Sequence, residues 1–230
     1  MAVGVTVIGP IADAAKIVTR VGDDLVDAAG NIYKKLDGSD TFTDINCNSF
    51  QLDNNGDLVR LEVPDVSRTV TVDIAKVKKG TPEYEALNNP KPNTTTELSN
   101  GTTFKTGQGG YVDEVVYQPV DTPGIRDARQ TQVGKEGIAG DVGGHIQACR
   151  HGGTCDRFNL FPQNSNFNNS AYKKWENEIT KSLQNGDSVG KVKVNLNRTD
   201  PYNPRPDSID IEYQINGRTL TREFKNEAGQ

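Results

Sequence analysis

The sequence predicts an α+β fold in which short antiparallel strands outnumber helices. Of its 230 residues, 23 are glycine and 33% are hydrophobic, a composition typical of many turns and short strands rather than of a helical bundle. Short runs that alternate between apolar and polar residues recur between turn-forming residues. Two other stretches carry apolar residues at three- and four-residue spacing, which is the pattern of an amphipathic helix.

The first helical pattern lies near the start of the chain. Between Ile11 and Leu36, apolar residues recur at three- and four-residue steps that are interrupted near Gly22 and Gly30, so we expect one or two helices. These helices could dock a partner, but packing on their own domain is the simpler interpretation. We therefore predict a helical segment over residues 1–40.

A β-rich connecting region is predicted over residues 41–90, followed by a larger domain over residues 91–230. The stretch Lys79–Asn100 is rich in Pro, Asn and Thr, and it is the best candidate for a linker or boundary. Four alternating runs are the predicted strands of the first half: Leu58–Val63, Thr69–Ile74, Thr102–Thr106 and Tyr111–Val120.

The second helical pattern lies in the second half of the chain. Side chains of Asn168 to Ser170 can cap a helix start, and Asn185-Gly186 is a stop signal. Further on, Asn216-Gly217 between alternating runs predicts a tight β-hairpin. The apolar residues that define the helix are Tyr172, Trp175, Ile179 and Leu183.

Charge and hydropathy limit the function classes. No stretch of about 18 apolar residues is present, so we expect no membrane-spanning segment, and the opening residues lack the basic start of a signal peptide. Residues 1–125 hold 11 basic and 18 acidic side chains, whereas residues 126–230 hold 15 and 13. The second half is thus compatible with phosphate binding, although its small surplus does not by itself indicate a nucleic-acid surface.

The only two histidines, His145 and His151, lie in one glycine-rich stretch, DVGGHIQACRHGG. Histidines that are scarce and placed together invite a catalytic or ligand role. Gly143-Gly144 would let the backbone turn sharply or approach a phosphate closely. A histidine in a glycine-rich loop can equally be a surface residue or a hydrogen-bonded structural one.

Asn168 and Glu176 are the candidate metal-binding pair. They are eight residues apart, about two helical turns, and so lie on broadly the same side of the predicted helix. Magnesium needs few protein ligands, and one amide oxygen with a carboxylate that holds a water would suffice. The alternative is that Asn168 caps the helix and Glu176 is a solvated charge.

The order of these motifs resembles the DNA/RNA non-specific endonuclease family, to which the Serratia nuclease belongs, and especially its subgroup at the ends of bacterial polymorphic toxins. The shared features are a GGH segment with a following GG, then NLxPQ, an Asn, a Tyr or Trp, and a Glu. The resemblance covers roughly residues 90–225. It implies a ββα-metal nuclease core, in which a hairpin carries the histidine and a helix carries the metal ligand.

Carried over residue by residue, the resemblance makes His145 the general base and Asn168 the ligand of Mg²⁺, or of Mn²⁺. It makes Glu176 the residue that orients metal-bound water, and Asn159 a contact to the substrate or transition state. The Serratia branch has DRGH, whereas Val142-Gly143 stand in the first two positions here, so the family arginine is missing. Three arginines are candidates to bind substrate in its place: Arg126, Arg129 and Arg157.

The resemblance also implies a biological setting. We expect a sequence-nonspecific endonuclease for DNA, RNA or both, secreted or delivered as a toxic effector that acts in the cytoplasm of a target cell. Such nucleases usually need a cognate immunity protein, and an acidic inhibitor is expected. The alternative is a non-catalytic module, derived from a nuclease, that only binds nucleic acid or a partner.

The cysteines leave several possibilities open. Three cysteines cannot form a disulfide framework. The set His145, Cys149, His151 and Cys155 offers two imidazoles and two thiols for zinc, although its spacing is unlike that of common zinc fingers. The two cysteines of this set could instead form a disulfide outside a reducing cytosol, or remain thiols.

Overall fold

A computed structural model describes residues 17–28, 30–35, 40–44, 49–60, 68–124 and 128–230. The chain divides into two compact units, residues 1–66 and residues 67–230. Strands predominate in both units, and all strand pairs but one are antiparallel in the parts described, so the predicted α+β class with antiparallel sheets is confirmed. None of the helices in these ranges is long and apolar enough to cross a membrane.

The first unit contains a six-stranded antiparallel meander, in which each strand pairs with the next along the chain. Its buried core consists of Leu25, Tyr33, Phe42, Phe50 and Leu58. The strands are β1 (Ile17–Val21), β2 (Asp24–Asp27), β3 (Ile32–Lys35), β4 (Thr41–Thr43), β5 (Ser49–Leu52) and β6 (Leu58–Arg60).

The prediction of helices near the start of the chain is therefore wrong for residues 17–35, and residues 1–16 lie outside the described ranges. Gly22 and Gly30 have φ of 65° and 85°, so each falls at a turn that ends a strand after four or five residues. Short strands with turns between them place apolar residues three and four positions apart, and this spacing imitates a helix.

The second unit is built on a seven-stranded sheet with the order β15-β14-β13-β10-β9-β8-β7. A separate two-stranded hairpin, β11 with β12, lies between the two halves of this sheet in the sequence. The strands are β7 (Arg68–Val72), β8 (Thr94–Leu98), β9 (Thr103–Thr106), β10 (Val112–Tyr117), β11 (Asp141–His145), β12 (Leu160–Asn164), β13 (Val192–Asn197), β14 (Ser208–Ile215) and β15 (Arg218–Lys225).

The predicted linker at Lys79–Asn100 is wrong, because this stretch is structured and joins two paired strands. Helix α1 (Pro82–Asn88) begins after Thr81, whose Oγ1 accepts a hydrogen bond from the Tyr84 N–H at 3.2 Å. It is the crossover between β7 and β8, which form the one parallel pair in the described sheets. Residues 67–90 thus belong with the second unit, whereas the sequence had placed them in the connecting region.

The helix predicted around residues 168–185 starts earlier than expected. Asn164 caps it, because its Oδ1 accepts hydrogen bonds from the N–H groups of Asn166 at 3.0 Å and Phe167 at 3.2 Å. The helix then runs in three stretches, α3 (Ser165–Phe167), a π-helical turn (Asn168–Tyr172) and α4 (Lys173–Gln184). It stops at the predicted Asn185-Gly186 turn.

Aromatic packing holds this helix on the large sheet. Trp175 and Tyr172 are buried, their rings are 5.1 Å apart, and Trp175 lies 6.3 Å from the ring of Tyr213 in β14. Loss of one such buried aromatic side chain usually costs about 3–5 kcal/mol. The buried face fixes the orientation of α4 and leaves its opposite face available for a site.

Candidate active site

The hairpin of β11 and β12 positions His145 at the end of β11, opposite Leu160. The two glycines before it are required by packing: a Cβ on Gly143 would overlap the backbone oxygen of Gln130, and one on Gly144 would overlap the Gln163 side chain. Helix α2 (Arg129–Gly134), which contains Gln130, therefore lies directly against β11. Both glycines lie within β11 and are needed for close packing, not for a sharp turn.

A cleft of about 520 Å³ brings three predicted site residues together: His145, Asn168 and Glu176. The first comes from the hairpin, and the other two come from the π-helical turn and α4. A second groove of about 720 Å³ shares Asn168 with this cleft. The complete lining of the cleft is Gly124, Gln130, Gly143, His145, Ala148, Cys149, Arg150, Asn168, Asn169, Lys173, Glu176 and Asn177.

The position of Asn168 differs from the alternative in which it caps the helix. The cap is Asn164, so Asn168 lies inside the helix, at the first position of the π-helical turn. Such turns are rare and are frequent at functional sites. The oxygen donors that Asn168 and Glu176 offer to one cleft form a set suited to Mg²⁺.

Both ring nitrogens of His145 have close neighbours, and the side chain is only 8% exposed. Nδ1 lies 3.1 Å from the amide nitrogen of Gln130, which also donates to the Gly143 carbonyl oxygen at 3.3 Å. Two acceptors on one amide nitrogen fix the amide orientation. Nδ1 therefore accepts a hydrogen bond, and in the neutral ring the proton is on Nε2.

The Nε2 atom of His145 faces two sulfur atoms. Cys149 Sγ lies 3.1 Å away and Cys155 Sγ lies 3.6 Å away, and both cysteines are buried thiols. The Nε2–H group points to sulfur, whereas the lone pair of the ring is on the side of Gln130. A water molecule that is to give a proton to His145 must therefore replace the Gln130 amide.

The positive charge of the cleft comes from residues that the sequence analysis missed. Arg150 lines the cleft, donates from Nε to Thr180 Oγ1 at 3.0 Å, and donates from both terminal nitrogens to Asn177 Oδ1. Lys173 also lines it and lies one helical turn before Glu176 and Asn177. The spacing along the polar face of the helix was the signal that could have identified Lys173.

Of the three arginines predicted to bind substrate, the structure describes Arg129 and Arg157, and neither lies at the cleft. Arg129 forms an ion pair with Asp156 at 2.6 Å, and Arg157 forms one with Glu136 at 2.5 Å. Neither side chain lines the cleft. Arg126 lies outside the described residues.

Asn159, the predicted substrate contact, does not line the cleft. Its side chain is fully buried and forms three hydrogen bonds with a neighbouring loop. Oδ1 accepts from the Gln147 N–H at 2.8 Å, and Nδ2 donates to the carbonyl oxygens of Gln147 at 2.9 Å and Thr154 at 2.8 Å. In this structure its amide holds the loop closed.

His151 is buried beneath the helix and does not join the other potential zinc ligands. Its Nε2 lies 2.9 Å from Thr180 Oγ1, and burial, assisted by the charge of Arg150, lowers its pKa to about 4. The four-ligand zinc set, which the sequence left open as an alternative, is therefore not formed among the described residues. Among the described residues, the ligand atoms of His145, Cys149 and Cys155 do lie within 4.8 Å of one another.

The family model that matches part of this chain is the one that the motifs resemble. Residues 115–217 match the family model described as DNA/RNA non-specific endonuclease. This range includes the hairpin, the helix and every residue that lines the cleft.

Two relatives are the type VII secretion system protein EssD from Staphylococcus aureus strains USA300 and NCTC 8325 / PS 47. Each is 30% identical over 138 residues, which cover 55% of this chain and 22% of the relative. The chain thus spans about a fifth of the length of these relatives.

Two solved structures also match, both of NucA from Streptococcus agalactiae. The form with magnesium bound has 12% sequence identity and a TM-score of 0.45, with 54% of this chain and 70% of that chain covered. The form with no metal bound has 10% identity and a TM-score of 0.44, with 66% and 92% covered.

Proposed function

We propose that the chain is a metal-dependent, sequence-nonspecific nuclease for DNA, RNA or both, on the premise that residues 115–217 match the DNA/RNA non-specific endonuclease family. One observation carries the proposal: His145, Asn168 and Glu176, from two motifs more than 20 residues apart, line the same cleft. We assign the activity to the second unit and regard the β11–β12 hairpin with the following helix as its ββα-metal core.

Asn168 and Glu176 would hold the metal ion, Mg²⁺ or Mn²⁺, because amide and carboxylate oxygens are its preferred ligands. Asn168 would coordinate the ion directly, and Glu176 would orient a bound water. When bound, the ion would neutralise charge on the phosphate and on the departing oxygen.

His145 would act as the general base. A water molecule replaces the Gln130 amide at Nδ1 and gives its proton to that nitrogen as its oxygen attacks phosphorus. The Nε2–H group remains directed at the sulfur atoms of Cys149 and Cys155, which keeps the ring in the required tautomer. Arg150 and Lys173 place positive charge beside the phosphate, where negative charge develops.

The shape of the site supports weak sequence preference. The cleft and the second groove share Gln130, Gly143, Asn168 and Asn169, so a strand could extend to either side of the bond that is cut. Contacts there would be made mainly to phosphates, which carry no sequence information.

We further propose that the nuclease is a secreted toxic effector that acts in the cytoplasm of a target cell and is restrained by an immunity protein. The similarity to EssD, a type VII secretion system protein, supports the link to secretion. The polymorphic-toxin resemblance supports the toxic role and the immunity partner.

The test is cleavage of plasmid DNA and of total RNA with Mg²⁺ or with EDTA. We expect degradation only with Mg²⁺, and a loss of roughly 10²- to 10⁴-fold in His145→Ala. Asn168→Ala should lose Mg²⁺-dependent cleavage, whereas Asn166→Ala, at an exposed position of the same helix that does not line the cleft, should retain it and controls for general damage to the helix. Thermal melts would verify that each variant is folded.

A folded wild type that binds nucleic acid without cutting it would contradict the proposal. That result would instead support the non-catalytic binding module. Equal cleavage by Asn168→Ala and the wild type would remove Asn168 from the metal site.

A further inference from the structure

One imidazole and two thiols, which are potential metal ligands of a type different from those of the Mg²⁺ site, lie together at the cleft. His145 Nε2 is 3.1 Å from Cys149 Sγ and 3.6 Å from Cys155 Sγ, and all three atoms lie within 4.8 Å of one another. The side chains are 8%, 9% and 5% exposed, respectively. The candidate Mg²⁺ site offers only oxygen, whereas this cluster offers one nitrogen and two sulfurs.

The loop that carries the cysteines is held firmly in this position. Cys149 begins a short 3-10 turn that Gly152 ends with a φ of 90°. The N–H groups of Gly152 and Gly153 donate to the carbonyl oxygens of Cys149 at 3.1 Å and Ala148 at 3.0 Å. Asn159 then ties both ends of the loop together through its buried amide. The fold therefore preorganises the two thiols around Nε2.

We propose that His145, Cys149 and Cys155 bind a thiophilic divalent cation, with Zn²⁺ as its representative, and that this ion inhibits the nuclease. Zinc–nitrogen and zinc–sulfur bonds of about 2.0 and 2.3 Å at a tetrahedral angle place nitrogen and sulfur about 3.5 Å apart. The two distances in the structure, 3.1 and 3.6 Å, need only small adjustment. His145 and Cys149 also line the cleft, so a water from the cleft can supply the fourth ligand.

Binding would remove the general base from the reaction, and this part of the inference rests on the proposed function. The ring proton moves from Nε2 to Nδ1, which frees the Nε2 lone pair for the ion, and the two thiol protons are released to solvent. The Gln130 amide can rotate by half a turn so that its oxygen accepts a hydrogen bond from the Nδ1–H group. Nδ1 no longer has a lone pair for water, so cleavage stops even when Mg²⁺ is present.

Metal binding is tested directly by titrating the reduced chain with Co²⁺ and with Zn²⁺ in competition with a chelator. Cys47→Ser serves as the background, because it removes the third cysteine of the sequence and leaves Cys149 and Cys155 as the only thiols. We expect one ion per chain and a thiolate-to-cobalt absorption band that Zn²⁺ removes. Cys149→Ser and Cys155→Ser should each weaken binding by roughly 100-fold or more, and His145→Ala should weaken binding while the thiolate band persists.

Inhibition is tested as the ratio of cleavage with and without one equivalent of Zn²⁺ at constant Mg²⁺, so the basal activity of each variant cancels. The ratio of cleavage with Zn²⁺ to cleavage without it should be about one tenth or less in the Cys47→Ser background. It should stay near one when Cys155→Ser is added. Absence of the thiolate band from the reduced, folded background protein would overturn the inference whatever the nuclease activity. A Cys149–Cys155 disulfide that persists in reducing buffer would also overturn it.

The two proposals fail separately. An inert chain that still binds Zn²⁺ through its thiolates would refute the nuclease and keep the metal site. An active chain that Zn²⁺ binds but does not inhibit would keep the site and refute its effect on His145.

Discussion

Asn159→Ala distinguishes a loop-holding role from the substrate contact that the family resemblance implies. The Asn159 amide is fully buried and forms three hydrogen bonds of 2.8 to 2.9 Å with Gln147 and Thr154. Truncation to alanine leaves one N–H group and two carbonyl oxygens without this partner. If Asn159 holds the loop, the variant should lose stability and keep nearly normal substrate binding.

The size of the effect follows from these contacts. A buried hydrogen bond contributes about 1 kcal/mol net, so three of them give a loss of about 3 kcal/mol in the free energy of unfolding. For a unit of this size, each kcal/mol moves the melting temperature by about 2–4 °C, which predicts a decrease of about 6–12 °C. Asn166→Ala is the matched control, because Asn166 is exposed, does not line the cleft, and its side chain accepts a hydrogen bond from the Gly229 N–H at 3.0 Å.

The assay combines thermal melts with kcat/KM measured well below the melting transition. The structural role predicts a large decrease in melting temperature together with nearly normal substrate binding. An unchanged melting temperature with a greatly reduced kcat/KM would refute the argument and restore Asn159 as a substrate contact.

Three further variants test the cleft and its surroundings. Burial holds the pKa of His151 at about 4 instead of 6.5, so the folded chain resists a proton that the unfolded chain accepts. Relative to His151→Gln, the free energy of unfolding of the wild type in EDTA should therefore fall by about 3 kcal/mol as the pH falls from 6.5 to 4. Urea denaturation that shows the same pH dependence for both proteins would contradict this. Arg150→Gln should lower kcat/KM by roughly 10- to 100-fold. Arg157→Gln breaks an ion pair away from the cleft and should cut at nearly the wild-type rate. The opposite ranking would return the substrate-binding role to Arg157. Asn164→Ala should cost about 1 kcal/mol through loss of the helix cap, and an equal cost for Asn168→Ala would show that Asn168 caps the helix instead.

Local chemistry made much of the second unit predictable. Asn216-Gly217 has φ of 51° and 76°, the pair of positive values that a two-residue hairpin turn requires. The spacing of aromatic residues likewise identified the face of α4 that packs on the sheet. The order of the family motifs brought His145, Asn168 and Glu176 to attention, and the structure places all three at one cleft.

Features that depend on distant contacts were not predictable in this way. The parallel pairing of β7 with β8 joins Arg68 to Thr94 across a helix, and turn or periodicity signals do not report such pairings. The choice among arginines depends on their ion-pair partners: Asp156 and Glu136 draw Arg129 and Arg157 away from the cleft. Arg150 is at the cleft because the helix presents Thr180 and Asn177 to its guanidinium group.

A contact between residues far apart in the sequence fixes where the helix starts, and thereby where Asn168 lies. Side chains that can cap a helix are frequent in NSNFNNS, so propensity alone does not select one. The selection is made by Asn226, whose buried amide accepts from the Asn164 N–H at 2.8 Å and donates to the Pro162 carbonyl oxygen at 2.9 Å. Asn226 thereby fixes where β12 ends and the helix begins. Because the cap is then Asn164, Asn168 falls four residues later, inside the π-helical turn, where it lines the cleft.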